Sequence, residues 1–184
     1  MTKQAIEDML NSHAKWLNNE YGGQRANMRD MDLWGADMQR ANMQGANMQG
    51  ANMRCANMQG ANMQDADMRD MDLRGVDMQD ADMRRANMQG ANMRCADMWG
   101  ADMLGADMRG ADIDYACWPL WCGSFDVIVD ARIAAQLAYH FCRLVCDDPM
   151  YIAARNAIVE FANQFHRVDE CGRLEKIEVP INAE

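Results

Sequence analysis

No stretch of this sequence reaches the roughly 20 consecutive apolar residues that a membrane-spanning helix needs, so no membrane partner is expected. Positive charge is also in short supply. Against 28 Asp and Glu stand 18 Lys and Arg, for a formal net charge of −10 over 184 residues. Nucleic acid or an anionic membrane surface would draw on a basic patch, and this balance argues against both as direct partners. The opening segment, MTKQAIEDMLNSHAKWLNNEYGG, has acids where a signal peptide carries its apolar core, so export is not expected. The seven cysteines are odd in number and include no tight CxxC pair, which points to reduced thiols in a cytoplasmic protein. Catalytic signatures are missing as well. There are only three histidines, no Ser or Asp sits in a recognisable nucleophile motif, and the glycines recur by period rather than as GxGxxG. The chain reads as a non-enzyme with no cofactor.

What is present is a repeat. Residues 26–115 form 18 unbroken five-residue units, of which ANMQGANMQGANMRCANMQGANMQD, residues 41–65, is a sample. The middle residue of each unit is Met in 15 of them, with Leu33, Leu73 and Ile113 in the others. Two residues earlier stands Ala, except at Met31, Met71 and Val76, and the residue between is always Asp or Asn. A period of five fits neither a helix at 3.6 nor an alternating strand at 2.0. It fits a coil that turns a corner once per unit. Ala and the middle residue, two apart, point to the same side of a short extended segment. Asp or Asn points outward or bends to bond the backbone near the corner. Gly, which closes half of the units, supplies the positive φ of a type II turn. The units ending in Asp30, Arg40, Cys55, Asp65 or Arg85 are expected to turn by type I geometry instead.

This pattern resembles the pentapeptide-repeat family, whose motif is A(D/N)LXX, here with Met in the Leu position. The resemblance implies a mainly β fold, a right-handed quadrilateral parallel β-helix with four units per coil and the middle residues facing inward. The sequence carries a test of that coil. MRDMDL occurs at 28–33 and again at 68–73, and ANMRC at 51–55 and 91–95, each pair separated by 40 residues, or two coils of 20. Stacked coils lie about 4.8 Å apart, so a continuous Asp ladder would repel itself. The alternation Asp32, Asn52, Asp72, Asn92, Asp112 avoids that.

Open coil ends expose backbone edges and need caps. An N-terminal capping helix in residues 1–25 places Ile6, Met9, Leu10, His13, Trp16 and Leu17 on one face. CWPLWCG, 117–123, closes the other end, and FDVIVD after it reads as a short strand. Residues 116–184 then hold a small helical module. A helix is expected over 130–146 with Asp130 as N-cap, and a second opens with Asp148 as N-cap and Pro149 at its first position. CGRL, 171–174, ends that helix or a following turn. The pair is expected to pack Ile133, Leu137, Phe141 and Leu144 against Tyr151, Ile158, Phe161 and Phe165. Outward-facing Trp99 and Leu104 point to cover by the helical module or a second subunit, hence to a homodimer as one candidate assembly.

Two soft-metal readings give way to packing. His140, Cys142, Cys146, His166 and Cys171 include zinc-capable types, but no knuckle organises them, and buried structural cysteine is the expectation. The Met columns could suit copper(I), yet inward packing accounts for every one. No metal is assigned. Cys55 and Cys95, two coils apart at about 10 Å, are beyond disulfide reach.

The expected function is a protein-interaction scaffold with its partner unspecified. The resemblance also implies an alternative, because some members of the family mimic duplex DNA and bind gyrase, a type II topoisomerase, conferring quinolone resistance. DNA carries about one charge per 1.7 Å, hence roughly 13 over the 22 Å of this coil. Residues 26–112 offer 14 Asp against 9 Arg, a net of −5, and Arg54, Arg74 and Arg94 form an outward basic column. The most acidic side carries Asp37, Asp77, Asp80 and Asp97 against Arg40 alone. The candidate interaction surface is therefore Asp37, Asp77, Asp80 and Asp97 with Trp99 and Leu104.

Overall fold

A computed structural model describes residues 2–119 and 126–177. The chain divides into two compact units, Met1–Ile128 and Val129–Glu184.

The first unit is a β-helix solenoid. From Asn27 to Asp97, parallel bridges join each Asp or Asn of the repeat to the residue 20 positions on, as in Asp37 to Asn57, Asn57 to Asp77 and Asp77 to Asp97, so four five-residue units make one coil. The coil thus has four sides. The first begins at residues 26–30, the second at 31–35, the third at 36–40 and the fourth at 41–45, each recurring every 20 residues. Its β-structure consists of these isolated bridges, with no longer strand among the described residues. Every middle residue is buried, from Met28 to Ile113. Each buried apolar side chain of this size is worth about 1.5–3 kcal/mol.

One unit shows how the backbone is satisfied. The N–H of Ala56 closes the turn onto the Met53 carbonyl at 3.1 Å. Asn57 donates back to Ala36 at 2.9 Å, while Met58 and Gly60 donate forward to Asp77 and Gln79 at 2.7 and 2.8 Å. The fifth N–H, of Gln59, goes to the Asn57 side chain at 3.1 Å. That last bond, from the residue after the middle to the Asp or Asn carboxyl or amide oxygen, forms in all 18 units. It explains the invariant residue type: only these short side chains can turn back to a backbone N–H two residues on.

The corners correct one expectation. Asp30, Arg40, Cys55, Asp65 and Arg85 do not adopt type I turns; their φ values of 56–59° match the positive φ at Gly corners. The bonds between coils dictate the corner geometry, so a non-glycine residue there is held in the left-handed region at a cost. Within a corner column such residues often alternate with Gly. The Asp80 carboxylate, for example, occupies the space that a Cβ on Gly100 would need.

Helix α1, Lys3–Leu17, caps the first coil. The Thr2 hydroxyl accepts from the Ala5 N–H at its start. Ile6 and His13 are buried, and Met9, Leu10 and Leu17 are half-buried. His13 Nδ1 accepts the Ala26 N–H at 3.1 Å, and its ring stacks on Trp16 at 5.3 Å. At the other end, CWPLWCG, 117–123, lies outside the described residues from 120 on, and its Cys117 pairs in parallel with Asp97. Ile128, from the FDVIVD run, also joins the solenoid, pairing in parallel with Asp107.

The second unit contains α2, Ala131–Cys142, α3, Pro149–Ala162, and the short α4, Val168–Cys171. Asp130 and Asp148 cap α2 and α3 as expected, with Pro149 at the first turn. Helix α2 stops four residues before 146. Arg155 takes the Cys142 carbonyl and the Tyr151 hydroxyl donates to those of Phe141 and Leu144, which competes with further helix. The packing face is also shifted from the expected one. The core comprises Tyr139, Cys142, Val159, Ala162, Phe165 and Leu174, whereas Phe141, Leu144 and Phe161 are exposed. Buried Leu174 and a bond from the Tyr139 hydroxyl to the Gly172 carbonyl, 2.6 Å, tie the following chain to α2 and set this face.

Corner strain is directly testable. Cys95→Gly should stabilise by about 0.5 kcal/mol, the relief of a left-handed residue offset by added unfolded-state freedom. Gly100→Ala, at φ +73° against the Asp80 carboxylate, should destabilise by about 2 kcal/mol. Urea denaturation measures both, and equal midpoints would contradict the assignment.

The cap should respond to pH. Burial, foremost, holds the His13 pKa below its ordinary 6.5, and the Arg25 charge adds to this. The folded chain therefore prefers neutral imidazole. Its contribution is complete above about 6.5 and is lost as pH falls through the lowered value. Amide exchange across residues 3–17 should quicken in acid beyond the intrinsic rate, and unchanged protection would refute it.

Candidate interaction surface

The outward side chains of the solenoid fall into two electrostatic classes. On the first, second and fourth sides many Asp are neutralised locally. In Asp67–Arg69, Asp72–Arg74, Asp82–Arg84 and Asp107–Arg109, the Arg of a unit folds back on its own Asp, and the guanidinium contacts both carboxylate oxygens. The Asp67 pair closes to 2.6 Å. Arg85 bridges to Asp65 one coil back, and Arg94 lies 3.6 Å from Asp112. These guanidinium bonds hold the carboxyls of Asp65, Asp67, Asp72 and Asp82 below the usual range, and Arg109, with help from Gln89, takes Asp107 down to about 2.

The third side is different. Asp37, Asp77 and Asp97 form its outward column, and Asp77 and Asp97 occupy adjacent rungs with no Asn between them. Asp80 stands at the corner toward the fourth side. Among the described residues no Lys or Arg lies within ion-pair distance of any of these four. Their neighbours are neutral amides: Gln39 donates to Gln59 at 2.7 Å, and Gln79 to Asp97 at 2.7 Å. Trp99 closes this side's row of glutamines and is 63% exposed, and Leu104, across the Gly100 corner, is 41% exposed. Five of the six sequence-selected residues thus occupy one side and its corner, and Leu104 stands on the fourth side.

Sequence reasoning missed the local neutralisation. Its signal is Asp and Arg on either side of the middle residue, Asp-Met-Arg or, at 72–74, Asp-Leu-Arg, where both ends face outward two residues apart. The zinc-capable set does not converge. Cys142 is buried with its thiol 3.8 Å from the Arg155 carbonyl, the other four are exposed, and among the described residues no group of three His, Cys, Asp or Glu side chains could hold a metal. Burial raises the Cys142 thiol pKa. Six cysteines, Cys55 and Cys95 included, are free thiols. No described helix is long and apolar enough to cross a membrane.

A coil closed every 20 residues by parallel bridges defines a β-helical repeat protein. The family described as pentapeptide repeats matches in 8 copies over residues 24–60, 51–90 and 91–117. Together these cover just over half of the sequence, and the chain belongs to that family. The solved structures similar to this chain include three pentapeptide-repeat or quinolone-resistance proteins. Rfr23, a pentapeptide repeat protein from the cyanobacterium Cyanothece 51142, is 17% identical over 66% of this chain and 95% of its own, with a TM-score of 0.43. The pentapeptide repeat protein alr5209 from Nostoc PCC 7120 is 24% identical over 70% of this chain and 96% of its own, TM-score 0.44. QnrB1, a plasmid-mediated fluoroquinolone resistance protein, is 16% identical over 67% of this chain and 72% of its own, TM-score 0.35. No curated protein matches the chain.

The neutralising pairs carry a pH signature. The folded pKa of Asp107, about 2, lies below its ordinary 3.8. The pair's contribution is present above about pH 4 and disappears as pH falls toward 2. Arg109→Ala should therefore lower stability modestly near neutral pH, because the pair is exposed on its Arg side, and the difference from the unaltered chain should vanish as pH falls toward 2, as urea denaturation followed by circular dichroism across pH checks.

Proposed function

We propose that this protein is a non-enzymatic interaction scaffold whose third side docks another protein. The observation that carries this reading is the contrast between sides. Many carboxylates elsewhere are paired with an Arg of their own unit or of a neighbouring coil, whereas among the described residues Asp37, Asp77, Asp80 and Asp97 have no such pair on the side that carries exposed Trp99, with exposed Leu104 on the next side. An apolar anchor ringed by unneutralised charge suits a partner surface with a basic rim around an aromatic-accepting pocket. A second copy of this chain would have to place like charges together, so a different basic protein fits better than a homodimer.

Gyrase is the specific alternative, because a surface that binds duplex DNA is itself basic. The open acidic side supports it, and the paired Asp on the other sides dilute the charge that a duplex would present. A supercoiling assay across protein concentration, with and without a quinolone, separates the two. The scaffold reading expects no effect at saturating protein. Inhibition or protection at low micromolar protein, lost in Asp77→Asn/Asp80→Asn/Asp97→Asn, would establish the gyrase reading. On the scaffold reading, that triple variant and Trp99→Ala should each lower recovery of the captured partner at least tenfold. Undiminished recovery with both variants would remove the third side from consideration.

A further inference from the structure

The first coil is the one place where the solenoid's backbone ladder begins without a predecessor. In every later coil the N–H of the Asp or Asn donates backward, and the carbonyls of that residue and of the one two positions on accept from the coil before. On the third side of the first coil those groups are the Asp37 N–H and the Asp37 and Gln39 carbonyls. None of them has a protein partner among the described residues, and both residues are exposed. Helix α1 covers the core at this end without pairing this edge.

Beside the edge lies a groove of about 340 Å³ between α1 and the first coil. Ile6, Leu10, Leu33 and Ala36 contribute apolar surface to it. Trp34, 65% exposed, contributes an indole. Glu7 and Asp37 bring carboxylates, with the Lys3 ammonium 4.0 Å from Glu7 and, among the described residues, no cation within ion-pair distance of Asp37.

We propose that this edge and groove bind an extended peptide segment bearing a lysine or arginine. The segment would add as a strand to residues 37–39, supplying the donors and acceptor that a preceding coil would have given. Its basic side chain enters the groove. The aliphatic stem lies along Ile6, Leu10, Leu33 and Ala36, and the cationic head meets the Trp34 ring and the carboxylates. An acidic or neutral strand would satisfy the edge and leave the Asp37 carboxylate unmet. This site lies at the end of the solenoid, apart from Asp77, Asp80, Asp97 and Trp99, and does not depend on the docking role proposed for that side.

The probe is a fluorescein-labelled peptide of alternating Val and Lys, followed by fluorescence anisotropy at physiological salt. Saturable binding is expected, with Trp34→Ala weakening it about tenfold and Asp37→Asn weakening it about threefold. Asp169→Asn, exposed in α4 of the second unit and outside both proposed surfaces, should leave affinity unchanged and so separates the site from general attraction to an acidic chain. A Glu/Val peptide should not bind. Methylation of alternate peptide nitrogens should cost about tenfold by removing strand donors. Trp34 is exposed, so its variant should fold, which a thermal melt checks. Amide exchange on the unaltered chain gives a second readout, since bound peptide should protect the Asp37 N–H. No saturation by about 1 mM, or equal affinity for Trp34→Ala, Asp37→Asn and the unaltered chain, overturns the groove assignment. Equal affinity for the methylated peptide, or no protection of Asp37, overturns the strand addition.

Discussion

The constraint on which the solenoid rests is the fate of one backbone N–H per unit. Four of the five donors find partners in the coil before, the coil after or across the corner. The fifth points away from all of them. A single unmet donor costs about 1–3 kcal/mol when it is shielded from water, and this one recurs in each of 18 units. The Asp or Asn two residues earlier absorbs it every time. With that bond in place, the Ala and the middle residue are fixed inward, and the corner is fixed in its left-handed turn.

Much of this was legible in the sequence because it is local or periodic. The five-residue unit, the buried middle residues, the need for an N-terminal helix and the caps at Asp130 and Asp148 all depend on neighbours or on spacing, while four units per coil came from the family resemblance and agreed with the 40-residue repeats. The failures have a common physical origin. At Arg40 and Cys55, residue type favours a type I turn, but the bonds between coils impose a positive φ. At the end of α2, Arg155 and Tyr151 arrive from α3 to claim carbonyls that the local sequence would have left to the helix. The site divides in the same way. Asp37, Asp77, Asp80 and Asp97 could be placed on one side by counting, whereas their contrast with the paired Asp needed the reach of the Arg side chains. The groove beside Trp34 depends on where α1 lands and had no signal in the repeat.

The core and the surface are governed by separate positions. Met at the middle of the unit fills irregular space with little strain, which suits a core whose cross-section must stay constant from coil to coil. The residues after the middle carry surface identity: Arg where charge is closed off, Gln along the third side, and Trp or Leu where apolar surface is shown. Exchanges there leave the ladder untouched, as long as the preceding Asp or Asn still receives the N–H.

That bond uses one oxygen, and asparagine and aspartate both present it. At any rung the two residues are interchangeable to the backbone while differing by a full unit of charge. Electrostatic character is therefore decoupled from architecture in this protein. A lineage could recolour a side from neutral to strongly acidic, one residue at a time, without passing through a less well-folded ancestor. Selection for a partner and selection for folding would then act on different atoms of the same side chain.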